Sequence, residues 1–204
     1  MLYSVAPPPQ LTERTGRRKA LREIASKQQL RLAFLRWAVV TVPFILLLGF
    51  TSARLAPTGS QSSWYRALTK PAETPPDWAF PVAWTTIYIL LGLALAMIIH
   101  ARGSRLRGPA IILFSVQMVA NLIWSPLFFG MHQVFWSLVT IGVMFVLALA
   151  TTIVFGRIRA GAAWLMVPYL AWLAYAGMLT YRIAELNPGA ETLLAPSSST
   201  TQII

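Results

Sequence analysis

The chain has 204 residues, of which 56% are apolar and only 11% charged, with a mean hydropathy of +0.61. Soluble domains carry about a quarter charged residues, so this composition excludes an ordinary water-soluble domain. The absence of cysteine excludes disulfide frameworks and cysteine-ligated metal or redox centres, and the net charge of +11 needs its own explanation.

Residues 1–34 form a basic amino-terminal tail. Within it, Leu11 to Leu35 reads as a weakly amphipathic basic helix lying against anionic lipid headgroups. A first span follows at about 35–54, because Trp37 to Ala53 carries no charge and roughly 20 apolar residues cross the hydrocarbon core. Thr51-Ser52-Ala53 has the small residues of a leader cleavage site, but the long stretch before the apolar run argues against a secretory leader.

The connection from Ala56 to Asp77 holds Trp64-Tyr65, Lys70-Pro71 and Thr74-Pro75-Pro76. Its prolines fix φ, and a connection this long, stiff and aromatic reads as a lid. The plainer alternative is an interfacial aromatic belt, which would suit Trp64 and Trp78.

A second span occupies about 79–100. Gly108 to Gly156 then carries no charged residue and is too long for one crossing. It divides at Gly130-Met131-His132-Gln133, after Ser125-Pro126, into spans at about 109–129 and 134–155. The last span runs from about 160 to 185. Residues 188–204, from Pro188-Gly189 through the Ser/Thr run at 197–201, read as a disordered tail. The expected fold is therefore an all-α integral membrane protein, a bundle of five transmembrane helices over residues 35–187. No internal repeat is present, and five spans do not divide into two equal inverted halves, unlike common secondary transporters.

Charge orients the bundle. Eight Lys/Arg lie in the segment through Arg36; Arg102, Arg105 and Arg107 follow the second span, and Arg157 and Arg159 the fourth. Only Arg54, Arg66, Lys70 and Arg182 fall on the opposite face, which carries four of the six acids: Glu73, Asp77, Glu185 and Glu191. The positive-inside rule then places the amino terminus in the cytoplasm, with the long loop and carboxy terminus across a cell membrane. The net charge reads as an orientation signal, with no nucleic-acid partner implied.

Three spans present matched polar-aromatic faces. Trp84 and Tyr88 share a face of the second. Gln117, Asn121, Trp124 and Ser125 make a stripe on the third; Pro168, Trp172, Tyr175, Ala176 and Leu179 make another on the fifth. Amides within a span either hydrogen-bond across helices or line a cavity, since an unpaired one costs several kcal/mol. At 1.5 Å per residue, Trp84 lies about 9 Å and Asn121 about 12 Å below the outer ends of their helices. Ala176 is at similar depth, and Trp172 is near the midplane. The three stripes thus meet beneath the long loop, where a cavity would suit a large, flat, mostly apolar ligand.

The same residues carry a family resemblance. Trp64-Tyr65-x-x-Leu68-x-Lys70-Pro71, Thr74-Pro75-Pro76-x-Trp78-x-Phe80-Pro81 and Trp84-Thr85-x-x-Tyr88 resemble the loop and second-helix signature of the translocator protein (tryptophan-rich sensory protein, peripheral benzodiazepine receptor) family. Asn121-x-x-Trp124-Ser125-Pro126-Leu127-Phe128-Phe129-Gly130 is similar to its third-helix motif, and Pro168-Tyr169-Leu170-Ala171-Trp172 to its fifth. The match covers about residues 40–187 in consistent order.

This resemblance implies a homodimer that binds porphyrins such as protoporphyrin IX and haem as ligands, with no required cofactor. Eukaryotic relatives bind cholesterol and benzodiazepine-type ligands. By motif position it implies a ligand pocket of Tyr65, Trp84, Tyr88, Asn121, Trp124, Ser125, Trp172 and Ala176. Trp64, Lys70, Pro71, Thr74, Pro75 and Pro76 would form the lid. Some bacterial relatives are associated with light-dependent porphyrin breakdown, for which Trp84 and Trp172 would be the participating indoles.

Two departures stand out. Leu179-Thr180-Tyr181-Arg182 leaves no residue between the tyrosine and the base, so the family's sterol-recognition pattern fails. Thr180 also stands where many relatives have Asn. The clearest small-residue packing motif, Gly92-x-x-x-Ala96, is on the second span, so no dimer interface is read on the third.

The leading functional expectation is a porphyrin-binding membrane protein that transports, buffers or senses its ligand; the alternative is a porphyrin-degrading enzyme. No catalytic constellation supports the second, and no acid lies inside a span short of its outer end. His100 and His132 stand near helix ends, far apart, and read as interfacial residues with no metal site implied. An ion-coupled transporter is disfavoured because the spans lack buried ionisable groups.

Overall fold

The computed structural model describes residues 9–193. Its long helices are α1 (Pro9–Arg54), α3 (Ala79–His100), α4 (Arg107–Ser125), α5 (Val134–Ile158) and α6 (Ala160–Leu186); a short α2 (Ser63–Ala67) sits in the first connection. Five helices are long and apolar enough to cross a membrane, so the chain is an all-α, multi-pass membrane protein. The extended helix α1 includes most of the segment expected to be a separate basic tail, and the backbone continues into the first span without a break. α5 packs chiefly on α6 and α4, α1 on α3, and α3 on α6.

Small residues let the helices approach. Gly92 faces α1 so closely that a Cβ there would lie 2.7 Å from the Val42 Cα. The Thr41 hydroxyl stands 2.8 Å from the Gly92 carbonyl oxygen and 2.9 Å from that of Trp37, and donates between them. The Gly92-x-x-x-Ala96 motif therefore joins two helices of one chain. Ala94, Ala110, Ala148 and Ala162 are fully buried in the same core beside Leu91, Ile98, Phe155 and Met166.

Proline shapes the end of α4. Pro126 has no N–H to give the Leu122 carbonyl four residues back. Ser52 of α1 supplies the missing donor through its hydroxyl, which tethers α1 to α4. Beyond it, Pro126–Gly130 forms one wide turn closed by Met131 N–H donating to the Pro126 carbonyl at 2.9 Å. His132 then takes a left-handed φ of 57° to redirect the chain into α5.

The first residues of the expected carboxy-terminal tail, 188–193, fold back against the bundle. Ala190–Thr192 makes a short turn with Ala190 buried. The Trp64 indole donates to the Ala190 carbonyl at 2.8 Å, and Glu191 accepts from the Phe135 N–H at 3.0 Å. That carboxylate caps the amino end of α5, where the helix dipole favours a negative charge. The remainder of that tail, 194–204, lies outside the described residues.

Candidate ligand pocket

The first connection folds back onto the bundle. Ser62 caps α2 by accepting from the Tyr65 N–H at 3.2 Å, which turns Trp64 and Tyr65 inward. Both are buried with Leu68 against Phe128, Val134 and Ile183. Further along, the Asn187 side chain at the end of α6 pairs with the Thr69 backbone, accepting from its N–H at 2.8 Å and donating to its carbonyl at 2.9 Å. Glu73 adds a second tie: its carbonyl accepts from the Tyr175 hydroxyl at 2.7 Å, and its carboxylate meets Arg182 at 3.0 Å.

Beneath this loop lies a cavity of about 410 Å³. Tyr65, Trp84, Tyr88, Asn121, Trp124, Ser125, Trp172 and Ala176 all line it. Helix spacing explains their convergence: each stripe repeats at three or four residues and so stays on one face. Trp84 lies against Tyr88 with ring centroids 5.3 Å apart and meets Trp172 edge-on at 6.2 Å. Trp124 stacks on Phe128 at 5.2 Å, and Phe80 meets Trp172 edge-on at 6.0 Å.

The polar groups form one chain. Tyr88 donates its hydroxyl proton to Asn121 Oδ1 at 3.2 Å, and Asn121 Nδ2 donates to the Tyr169 hydroxyl at 3.1 Å. The amide thus links α3, α4 and α6. Trp124 and Trp172 differ: their indole nitrogens are buried and find no acceptor among the described residues. Such donors carry a desolvation cost that a ligand or water acceptor in the cavity would relieve.

The other expected residues separate. Of the lid residues, only Thr74 lines the cavity; its hydroxyl donates to the Pro71 carbonyl at 2.8 Å. Trp64 is buried away from the cavity with its ring stacked on His132 at 4.5 Å, and Lys70 Nζ sits 4.9 Å above the Tyr65 ring. Pro71 is buried, Pro75 half-buried and Pro76 exposed; none of the three lines the cavity. Trp78 is 67% exposed, as an interfacial anchor would be. Gln117, on the same stripe as Asn121, does not reach the cavity. It lies about 6 Å deeper along α4, fully buried, with neither amide atom partnered among the described residues. Pro168, also on an expected stripe, is exposed and absent from the wall.

Sequence reading missed an entire wall. Gly49, Phe50, Ser52 and Ala53 of α1 and Ile141 and Met144 of α5 face the cavity, as do Thr58–Gln61 and Asp77 of the loop. Gly49 was the available signal, a small residue in an apolar span. A Cβ there would lie 2.1 Å from the Tyr88 ring, so glycine admits that ring between α1 and α3. No histidine lines the cavity. Among the described residues no group of three or more His, Asp or Glu could hold a metal ion.

Comparison with known proteins agrees with this architecture. The TspO/MBR family model matches residues 39–186. The tryptophan-rich protein TspO of Chlorobaculum tepidum is 35% identical over 165 residues, covering 80% of this chain and 99% of that protein. The tryptophan-rich sensory protein of Cereibacter sphaeroides is 35% identical over 153 residues, covering 72% and 95%. The translocator protein of Bos taurus is 37% identical over 141 residues, covering 68% and 83%. With most of its length matched by the family model and by full-length relatives, this chain belongs to the TspO/MBR family.

Proposed function

We propose that the protein binds a tetrapyrrole such as protoporphyrin IX or haem in the cavity beneath the loop, and transports, buffers or senses it. The observation that carries this reading is the cavity wall. Trp84, Trp124 and Trp172 offer broad aromatic faces, two of them with unpaired indole N–H donors, around the Tyr88–Asn121 pair. Aromatic faces suit a flat conjugated ring, and a few fixed polar groups orient it. With no histidine in the wall, haem would be held by its macrocycle. Other flat apolar molecules, sterols and benzodiazepine-type ligands included, fit the same chemistry less selectively.

In this reading the loop from Ala56 to Asp77 closes over the ligand, the amino terminus is cytoplasmic by the basic bias, and two copies pair in a bacterial cell membrane.

Titration of the purified protein with protoporphyrin IX tests the pocket. Porphyrin fluorescence is expected to quench saturably, and Trp84→Ala and Asn121→Ala are each expected to weaken binding by about tenfold. Unchanged affinity in both variants would rule the assignment out. The edge-on contact of Trp84 and Trp172 at 6.2 Å favours a second reading, light-dependent porphyrin breakdown in which an indole traps a photogenerated radical. Under illumination, loss of the porphyrin's main absorption band that Trp172→Phe abolishes identifies an enzyme; a stable band identifies a binder.

A further inference from the structure

At the end of the bundle opposite the loop, a second hollow of about 870 Å³ is bordered by Arg36, His100, Arg102, Arg157 and Arg159. These side chains come from three separate places in the chain: α1, the end of α3 with its turn into α4, and the α5–α6 turn. Tertiary structure alone gathers them.

Nothing nearby in the sequence neutralises the cluster. There is no Asp or Glu between Glu23 and Glu73, and none between Asp77 and Glu185. Glu23 is about 20 Å from Arg36 along α1. Among the described residues the one ion pair, Arg182 with Glu73, is at the opposite end. Arg159 also precedes α6, whose amino end has no side-chain cap and whose dipole favours an anion. Four exposed guanidinium groups around one hollow favour an anionic occupant, and their fork geometry matches phosphate oxygens.

The hollow's position selects the source of that phosphate. It lies at one end of the membrane spans, at headgroup depth. Its wall includes Val40, 60% exposed, and the same face of α1 continues through Phe44 at 54% and Leu47 at 65%. The apolar strip leads from the arginines into the hydrocarbon, where acyl chains attached to a bound headgroup would run.

We infer that this hollow is a binding site for the headgroup of an anionic phospholipid from the leaflet on the amino-terminal side. The site is separate from the aromatic cavity and independent of the ligand proposed there.

Native mass spectrometry of the full-length protein, released from micelles containing phosphatidylglycerol and phosphatidylcholine, tests it. The expected result is a saturable phosphatidylglycerol adduct with no matching phosphatidylcholine adduct. Combining Arg36→Gln, Arg102→Gln and Arg159→Gln is expected to weaken the adduct on the order of a hundredfold. A control with Arg17→Gln, Arg18→Gln and Arg22→Gln is expected to retain it. If the triple hollow variant loses its helical signal, Arg102→Gln alone, at an exposed turn, carries the test with about a fivefold loss. Equal retention of phosphatidylcholine, an unaffected hollow variant, or an equal loss in the control would overturn the site. Displacement of the lipid by inorganic phosphate, with the same thermal stabilisation, would instead make it a soluble-anion site and overturn the lipid assignment.

Discussion

The two halves of the bundle use the same helices and pack them differently. Towards the amino-terminal side, α3 to α6 meet through Ala94, Ala110, Ala148 and Ala162, with Leu91, Ile98, Phe155 and Met166 filling the gaps. Towards the loop, α3, α4 and α6 carry Trp84, Tyr88, Trp124 and Trp172, and a cavity of about 410 Å³ lies among them. The bundle is closed where alanines let the helices approach and open where these rings line the cavity. Lipid-facing apolar residues gain little by burial, so close packing of small residues is what holds the closed half. The open half depends on the loop and its hydrogen bonds.

The comparison breaks most visibly at Gly92. Replacing it with Val drives a branched side chain into the Val42 backbone, and a loss of about 3 kcal/mol is expected in reversible unfolding in mixed micelles. A near-neutral result would mean that α1 is not packed tightly on α3.

The open half responds differently. Asn187→Ala removes the two hydrogen bonds to Thr69 and one to the Ile183 carbonyl. About 2 kcal/mol of loop stability should go with them, read as faster amide exchange at residues 64–74 while exchange in α5 is unchanged. Uniform acceleration across the bundle would show that the loop and helices open as one unit.

Gly49→Ala sharpens the boundary between the halves. Its new methyl would displace the Tyr88 ring towards the cavity, so porphyrin affinity should fall about tenfold with a smaller change in stability. If affinity holds, Tyr88 moves without narrowing the cavity.

Glu73→Gln has the smallest expected effect. The Arg182 partner is 49% exposed and the carboxylate 44%, so less than about 1 kcal/mol is at stake. Porphyrin release should speed up about twofold at low ionic strength, with the difference vanishing as salt screens the pair. A salt-independent effect would point to the backbone contact with Tyr175 instead.

Much of this organisation is legible in the residues because it rests on local rules. Span positions follow from uninterrupted apolar stretches, and the α4–α5 break from Pro126 and the Gly130–Gln133 segment. The stripes follow from helical spacing, which is why Trp84, Asn121 and Trp172 are legible as neighbours at one depth from the residues themselves. The same reasoning failed for Gln117. Spacing assigns a residue to a face, but which neighbouring helix covers that face at that depth depends on packing between distant segments.

Sequence alone determined the five crossings, their polar faces and the family to which the chain belongs, because hydropathy, periodicity and motif order are properties of the chain itself. Tertiary structure decided which residues occupy the cavity wall, placing Gly49 and Phe50 of α1 there while turning Trp64 away to donate to the Ala190 carbonyl, 126 residues distant. It also set Glu191 against the start of α5 and gathered the arginines of three separate segments around one hollow. Each of these rests on contacts between segments far apart in the chain, and no local pattern encodes which distant surface a side chain will meet.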